Sequence, residues 1–198
     1  ILIDLGGKDI LVAGQKSGSV YGIDPDTGEI IWSNAISGGG TQGGIHFGMA
    51  SEGKTLYVPL NDMKDTKDGK VWLNRKPGMH SLDSETGEIL WSTITDRECK
   101  EIDTNCDPGI SAAVTAIPGA VIAGHLDGMI RIYDKNNGDI LWSFNSLGDY
   151  NSVSGTPASG GSFSGSGPSV RNGFMAINSG YGLYNHMPGN ALLLFSID

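Results

Sequence analysis

The stretch Gly22-Ile-Asp-Pro-Asp-Thr-Gly-Glu-Ile-Ile-Trp32 decides the fold, because the chain repeats it twice more. It returns as Ser81-Leu-Asp-Ser-Glu-Thr-Gly-Glu-Ile-Leu-Trp91 and as Ile132-Tyr-Asp-Lys-Asn-Asn-Gly-Asp-Ile-Leu-Trp142. Each copy places an Asp, a Gly and a Trp at the same spacing, and the three tryptophans lie 59 and 51 residues apart. Repeats of this length indicate an array of units that bury their apolar faces against one another.

The local chemistry of the repeat predicts a β-hairpin. An Asp at the start of a turn accepts hydrogen bonds from backbone amides ahead of it, and a Gly near its end supplies the positive φ. The β-branched and apolar residues that follow predict a second strand. An indole at a constant offset is expected to dock between neighbouring units. The alternative is an ordinary hairpin protein in which the similarity between the segments is accidental. Three copies with Asp, Gly and Trp in register argue against it.

The repeat resembles the tryptophan-docking motif of the pyrroloquinoline quinone (PQQ) dehydrogenases, whose fold is an eight-bladed β-propeller of four-stranded blades. Three further segments resemble blades of the quinoprotein alcohol dehydrogenases, namely 43–47, 109–119 and 178–195. Within that family, the chain is most similar to the polyvinyl-alcohol dehydrogenase group. The resemblance implies an all-β propeller of which this chain holds about four blades.

The alternating strand patterns predict blades at about 1–36, 41–95, 109–146 and 160–198, all within one partial propeller domain, 1–198. The last blade lacks its fourth strand. Ile1 falls inside a strand pattern, so the chain is interpreted as the C-terminal half of a longer protein. A natural half-propeller that closes its ring as a dimer is the alternative.

Composition narrows the possible partners. The 31 glycines suit an architecture with many tight turns. A net charge of −9 argues against nucleic-acid binding, which requires a basic surface. No apolar run approaches the roughly 20 residues of a membrane-spanning helix.

The resemblance implies a periplasmic enzyme that oxidises an alcohol, possibly a secondary alcohol or poly(vinyl alcohol), and passes electrons to a cytochrome c. Such an enzyme holds PQQ on the propeller axis, a Ca²⁺ ion that polarises the quinone, and a carboxylate base. In the family, the metal ligands and the base lie mostly in the N-terminal half. No catalytic or metal-binding residue is therefore assigned to this chain, and the chain alone is expected to be inactive.

Five residues are candidates for cofactor binding. Lys16 matches a position where the family places Lys or Arg against the quinone oxygens, and a fixed cation stabilises an oxyanion formed on reduction. An exposed turn lysine is the alternative. His46 and Phe47 stand where family members often have Asn and Trp, so His46 either donates to a PQQ carboxylate or lines the channel. The remaining candidates, at the starts of inner strands, are Gly44 and Ser111.

The glycines at 43 and 44 have a structural alternative, and further residues that face the same axis or lie in loops are weaker candidates. Gly43 and Gly44 allow a close backbone approach, although a bulge explains them equally well. Among the other histidines, His80 and His125 are interpreted as structural, and nothing singles out His186 in its Gly/Asn/Pro loop. The Asn61-Asp62 pair and the charges after it indicate a solvated hairpin tip. Further residues that begin inner strands are Ile110, Ala112, Ser164 and Gly165.

Cys99 and Cys106 bound a short loop that a disulfide bridges easily in an oxidising compartment. A pair of free cytosolic thiols is the alternative. Zinc is not indicated, because no further ligands stand at zinc spacing nearby.

Two functions remain open at this stage. The first is the PQQ-dependent alcohol dehydrogenase. The second is a non-catalytic propeller scaffold that binds proteins, similar to the outer-membrane assembly lipoproteins. The docking motif only stacks blades and cannot separate the two. Lys16 and the segment 43–47 favour the enzyme, since a scaffold has no need of a cation on the channel axis.

Overall fold

The computed structural model describes residues 1–63, 75–95 and 107–197. Its main components are three antiparallel sheets of four strands, each a meander in which sequential strands are neighbours. The first sheet comprises β1 (Leu2–Asp4), β2 (Asp9–Gly14), β3 (Ser19–Ile23) and β4 (Ile30–Ala35). The second comprises β5 (Ala50–Glu52), β6 (Thr55–Leu60), β7 (Gly78–Asp83) and β8 (Ile89–Ile94).

The rest of the chain forms the third sheet, a shorter fourth sheet and two small pairings. A two-residue strand, β9 (Ser111–Ala112), precedes the third sheet of β10 (Thr115–Ile117), β11 (Ala120–Gly124), β12 (Met129–Asp134) and β13 (Ile140–Asn145). A hairpin follows, formed by β14 (Asp149–Asn151) and β15 (Pro157–Ser159). The parallel partner of β9 is β16 (Ser164–Gly165). The fourth sheet comprises β17 (Ser169–Arg171), β18 (Phe174–Ser179) and β19 (Ala191–Ser196), and a 3₁₀ turn, Leu183–Asn185, lies before β19.

The repeated phrase forms the same turn each time. Asp24 Oδ1 accepts hydrogen bonds from the amides of Asp26 and Thr27, both at 3.0 Å, and Gly28 has a φ of 77°. Asp83 and Asp134 begin the corresponding turns in the second and third sheets. Each hairpin also carries a register shift just before its Asp. The turn chemistry predicted for the repeat is therefore confirmed.

Each of the first two repeat tryptophans docks on the turn of the following sheet. Trp32 Nε1 donates to Ser84 O at 3.0 Å, and Trp91 Nε1 donates to Lys135 O at 2.8 Å. A glycine lies under each ring, Gly87 below Trp32 and Gly138 below Trp91. A Cβ on either glycine would lie 2.4 Å from the indole. The predicted docking is confirmed for these two residues.

The third repeat tryptophan packs differently. Trp142 stacks on Phe144 at 6.1 Å and meets Phe195 edge-on at 5.6 Å between ring centroids. It remains 38% exposed, against 8% for Trp91. In the fourth sheet, strand β19 lies against Trp142 in place of a repeat turn. This indole is therefore only partly covered.

The core consists of three apolar layers, each between two consecutive sheets. The first layer includes Ile10, Val12, Leu56 and Val58. The second is built around Tyr57, Met79, Val121 and Tyr133. The third includes Ile122, Phe163 and Ile177. Burial between sheets is what holds such an array together, because each sheet is too small to fold by itself.

The innermost strands differ most from the sequence prediction. The alternating sequence pattern predicts one continuous strand at 45–50 and another at 111–117, whereas the structure has β5 at Ala50–Glu52 and a break between β9 and β10. The cause is that the backbone before each break bonds to the preceding sheet instead of its own. Ile45 N donates to Gln15 O at 3.1 Å, and Ile110 N donates to Leu60 O at 3.0 Å. The sequence pattern also gives no indication of the β14–β15 hairpin.

No helix in the described part of the chain has the length and apolar character needed to cross a membrane.

Candidate functional site

Three inner segments lead into the second, third and fourth sheets, at 45–46, 110–111 and 163–164. Each of them makes the same type of backbone hydrogen bond, which brings their polar residues together. Ile45, Ile110 and Phe163 each donate their amide to a carbonyl at the end of the second strand of the preceding sheet, either its last residue or the residue just after it. The next residue in each segment is polar and lies at the inner edge. These three residues are His46, Ser111 and Ser164.

His46 is locked in place by two protein contacts. Its Nε2 lies 3.0 Å from Gly43 O, and its Nδ1 lies 3.0 Å from Ser111 Oγ. Burial lowers the pKa of His46, and the nearby Lys16 charge lowers it further, so the ring is neutral at pH 7. A carbonyl can only accept, so Nε2–H donates to Gly43 O and Nδ1 accepts from the Ser111 hydroxyl. Both ring nitrogens are therefore engaged.

Ser111 continues this polar row around the inner edge. It is buried, at 2% exposure, and it pairs with Ser164 in the parallel β9–β16 bridge. His46, Ser111 and Ser164 thus come from three consecutive inner segments and lie side by side.

Lys16 lies in the turn after β2 and keeps an exposed ammonium. Its Nζ donates to Thr41 O at 3.1 Å, and no carboxylate in the described ranges forms an ion pair with it. Its backbone carbonyl is enclosed by the glycine-rich loop 37–44, where the Gly40 amide donates to it at 3.1 Å. The ammonium therefore has donor capacity left for an anionic ligand, beside a neutral imidazole.

Gly44 permits the close approach of this loop. It has a φ of +70°, and a Cβ there would lie 2.4 Å from Lys16 O. The glycine is therefore explained by contact with the Lys16 backbone, which positions the ammonium, and a direct contact of Gly44 with a cofactor stays a prediction.

We expect Gly44→Ala to displace Lys16. The left-handed φ and the clash with a backbone oxygen both oppose a side chain, at a cost of about 1–3 kcal/mol. Chemical denaturation measures the loss of stability. Gly53→Ala is the matched control, since Gly53 has a φ of +57° but open space around its Cβ. Equal losses for the two variants would contradict the clash with Lys16.

Phe47 lies at the rim of a cleft of about 780 Å³ beside this row. Its ring is 55% exposed and meets His46 edge-on, with 6.3 Å between ring centroids. Tyr181, Leu183 and Tyr184 line the same cleft together with Ser164. An aromatic face next to serine hydroxyls suits a planar or partly apolar neutral group.

His186 lies close to this site, although nothing in the sequence singled it out. It is 4% exposed, and neither ring nitrogen has a hydrogen-bond partner among the described residues. Burial and, as the smaller cause, the neighbouring His46 together lower its pKa to about 4. Tyr184 and Asn185, just before it, both have left-handed φ angles.

The other two histidines have structural contacts, as interpreted from the sequence. His80 lies between Ser92 Oγ and Lys76 O, at 2.8 Å from each. His125 lies between Pro108 O and the Tyr133 hydroxyl, again at 2.8 Å from each. Burial lowers the pKa of both rings.

One expectation about the charged residues was wrong. Asn61 and Asp62 are buried, at 0% and 4% exposure, and do not form a solvated tip. Their side chains form hydrogen bonds with the loop that encloses Lys16. This contact is long-range and cannot be predicted from the local sequence pattern. Cys99 and Cys106 lie outside the described residues, as do the charges after Met63. Within the described residues, no group of three or more His, Cys, Asp or Glu could hold a metal ion.

Comparison with known proteins supports the predicted resemblance. The chain is 38% identical to a polyvinylalcohol dehydrogenase of Pseudomonas sp. over 97% of its own length and 31% of that protein's. BamB from Moraxella catarrhalis matches with a TM-score of 0.61 and 18% identity, over 98% of this chain and 45% of that one. Quinohemoprotein alcohol dehydrogenase from Comamonas testosteroni matches with a TM-score of 0.58 and 18% identity, over 90% of this chain and 28% of that one.

The chain spans about a third of the length of the dehydrogenase it matches. The two solved structures show that it shares their fold. The PQQ_2 family model, described as outer membrane protein assembly factor BamB, matches residues 16–161. With its repeated Asp-Gly-Trp turns and docked indoles, the chain belongs to the PQQ_2 family.

Proposed function

We propose that this chain is part of a PQQ-dependent dehydrogenase that oxidises alcohols, with secondary alcohols or poly(vinyl alcohol) as substrate class. The observation that carries the proposal is the exposed Lys16 ammonium beside a neutral His46 and a row of serines at the inner edge. The similarity to a polyvinylalcohol dehydrogenase over 97% of the chain supports it.

The residues present fit PQQ chemically. PQQ is a planar group with quinone oxygens and three carboxylates, and it takes up two electrons from the alcohol when bound. Lys16 supplies a cation with free donor capacity, and the exposed Phe47 ring supplies an apolar face. Because both His46 nitrogens are occupied, His46 contributes its ring edge and fixes the Ser111 hydroxyl, in place of a direct hydrogen bond to a carboxylate.

Lys16 has the clearest role in this proposal. A cation held next to a carbonyl oxygen stabilises the negative charge that develops there on reduction. Enclosure of the Lys16 backbone by the loop 37–44 holds the start of this side chain in place, so less reorganisation is needed when charge develops. The neutral state of His46 leaves Lys16 as the cation of the row.

The remaining parts of the proposal concern the whole protein. A catalytic carboxylate, a Ca²⁺ ion and further PQQ contacts are supplied by parts of the protein outside this chain. A cytochrome c accepts the electrons, the location is periplasmic, and Cys99 and Cys106 form a disulfide. Residues 1–198 act as one partial propeller domain that needs its N-terminal half for activity.

Replacing Lys16 in the full-length protein tests the proposal. We expect Lys16→Met to lower kcat about 100-fold, since one electrostatic contact to a developing oxyanion is worth about that much. Lys16→Arg keeps the charge and is expected to retain more activity. Lys54→Met is the matched control, because Lys54 forms an exposed ion pair with Glu85 away from the site. Activity that is unchanged in Lys16→Met would refute the role of this cation.

The scaffold remains the second candidate, because the family model carries the description of an assembly factor. It predicts that the full-length protein does not bind PQQ, and a spectroscopic titration with PQQ separates the two functions. The similarity to a polyvinylalcohol dehydrogenase favours the enzyme.

A further inference from the structure

Asp62 is a buried carboxylate that accepts three hydrogen bonds from two separate segments of the chain. Its Oδ1 accepts hydrogen bonds from Gly44 N at 2.8 Å and Ser37 Oγ at 3.0 Å, and its Oδ2 accepts from Lys76 N at 2.9 Å. The residue has a φ of +42°, a strained conformation for a residue with a side chain. A buried carboxylate is costly unless it is well bonded, and here every oxygen has a donor.

The loop next to Asp62 is fixed along its length. Asn61 Nδ2 and the Met63 amide both donate to Gln42 O, at 2.9 and 3.0 Å, and the Asn61 amide donates to Gly44 O at 3.0 Å. The same loop encloses the carbonyl of Lys16. Asp62 is therefore connected to Lys16 through backbone that it holds directly.

A second series of contacts, through Arg75 and Asp107, connects Asp62 to the next inner segment. Arg75 Nε donates to the Asp62 carbonyl, and Arg75 Nη2 forms an ion pair with Asp107 Oδ2 at 3.2 Å. Asp107 Oδ1 accepts the amide of Gly109 at 3.0 Å, just before Ser111. The side chains of Arg75 and Asp107 are 14% and 6% exposed, so the pair is largely shielded from water.

In the corresponding turn of the third sheet, the aspartate makes short-range contacts. There Asp127 bonds to Met129 N and to Arg131, both within its own hairpin, at 2.9 and 2.7 Å. Asp62 and Asp107 instead reach Gly44 and Gly109, which lead into two different inner segments. The long-range connection through Asp62 and Asp107 thus lies in the part of the fold that carries Lys16, His46 and Ser111.

We propose that the Asp62–Arg75–Asp107 network positions the site, by fixing the spacing between Gly44 and Gly109 and with it the Lys16 loop and the His46–Ser111 contact. The three residues are positioning residues, since none of them contacts the exposed Lys16 ammonium. The proposal rests on the proposed function only for its effect on PQQ, and its structural part stands independently.

Asp62→Asn in the full-length protein is the test, because Asn has the same shape but can offer only one acceptor oxygen. In either orientation its NH₂ faces a donor that Asp62 now accepts from. We expect faster backbone hydrogen exchange in the peptide covering 37–48, measured by mass spectrometry, and about tenfold weaker PQQ binding, as for outer-shell changes at other sites. Asp107→Asn should act in the same direction on the peptide that begins at Gly109.

Tyr133→Phe is the matched control, because it removes a buried contact to His125 in the third sheet and keeps all contacts between Asp62 and the loop 37–44. It should lower stability but leave exchange at 37–48 and PQQ affinity unchanged. Unchanged exchange in Asp62→Asn, or an equal change in Tyr133→Phe, would overturn the proposal. Failure of the unmodified protein to bind PQQ would refute the proposed function, while the exchange result would still decide the network.

Discussion

Trp91→Ala is expected to lower the free energy of unfolding by about 3–5 kcal/mol, the range for loss of a large buried aromatic side chain. Trp91 is 8% exposed and packs against Tyr57, with ring centroids 6.2 Å apart. It also covers Gly138, and its Nε1 satisfies the carbonyl of Lys135 at 2.8 Å. The substitution therefore opens a cavity between two sheets and removes a hydrogen bond. Urea denaturation of the purified protein measures the loss.

Two further variants separate the parts of this effect. Trp91→Phe keeps most of the ring but removes the hydrogen bond, and should cost about 1–3 kcal/mol. Trp142→Ala is the matched control, because Trp142 has the same place in the repeat but is 38% exposed. It should cost clearly less than Trp91→Ala. An equal or larger loss in Trp142→Ala would show that burial between sheets does not explain the docking energy.

The repeated turns were predictable because their causes are local. The Asp, the Gly and the β-branched run act within a few residues, so strands β3 and β4 and their counterparts follow from the sequence. The docked position of Trp32 was also predictable, since a constant offset places each indole against the next unit. The missed β14–β15 hairpin has little apolar alternation in Asp149–Asn151, which explains why its pattern gave no indication.

The candidate site was only partly predictable, because its geometry depends on contacts between distant segments. Lys16 and His46 were chosen from the resemblance, and the structure places them in one neighbourhood with Ser111. That both nitrogens of His46 are bonded to the protein could not be known, since one partner lies 65 residues away. Asp62 looked solvated because charged residues follow it, yet its donors lie 18 and 25 residues earlier and 14 residues later in the chain.

Acidification from pH 6.5 to about 4 is expected to destabilise the protein strongly, because burial lowers the pKa of all four histidines. The largest cause is the same for each ring, the loss of water around the charged form. The unfolded chain takes up protons near pH 6.5, whereas the folded chain resists them, so the unfolded state binds more protons in this window. Stability is complete above pH 6.5 and falls as the pH decreases.

His186 provides the magnitude and the control for this effect. Its pKa of about 4 in the folded protein corresponds to a loss of at most about 3 kcal/mol by pH 4, since each pKa unit is worth about 1.4 kcal/mol. The exposed carboxylates of Asp4 and Asp24 act below this window, because hydrogen bonds from backbone amides lower their pKa from 3.8. Urea denaturation at intervals of half a pH unit measures the slope. His186→Gln should reduce the slope of the unfolding free energy against pH. If this variant lost as much stability on acidification as the unmodified protein, His186 would not be the source of the assigned part of the loss.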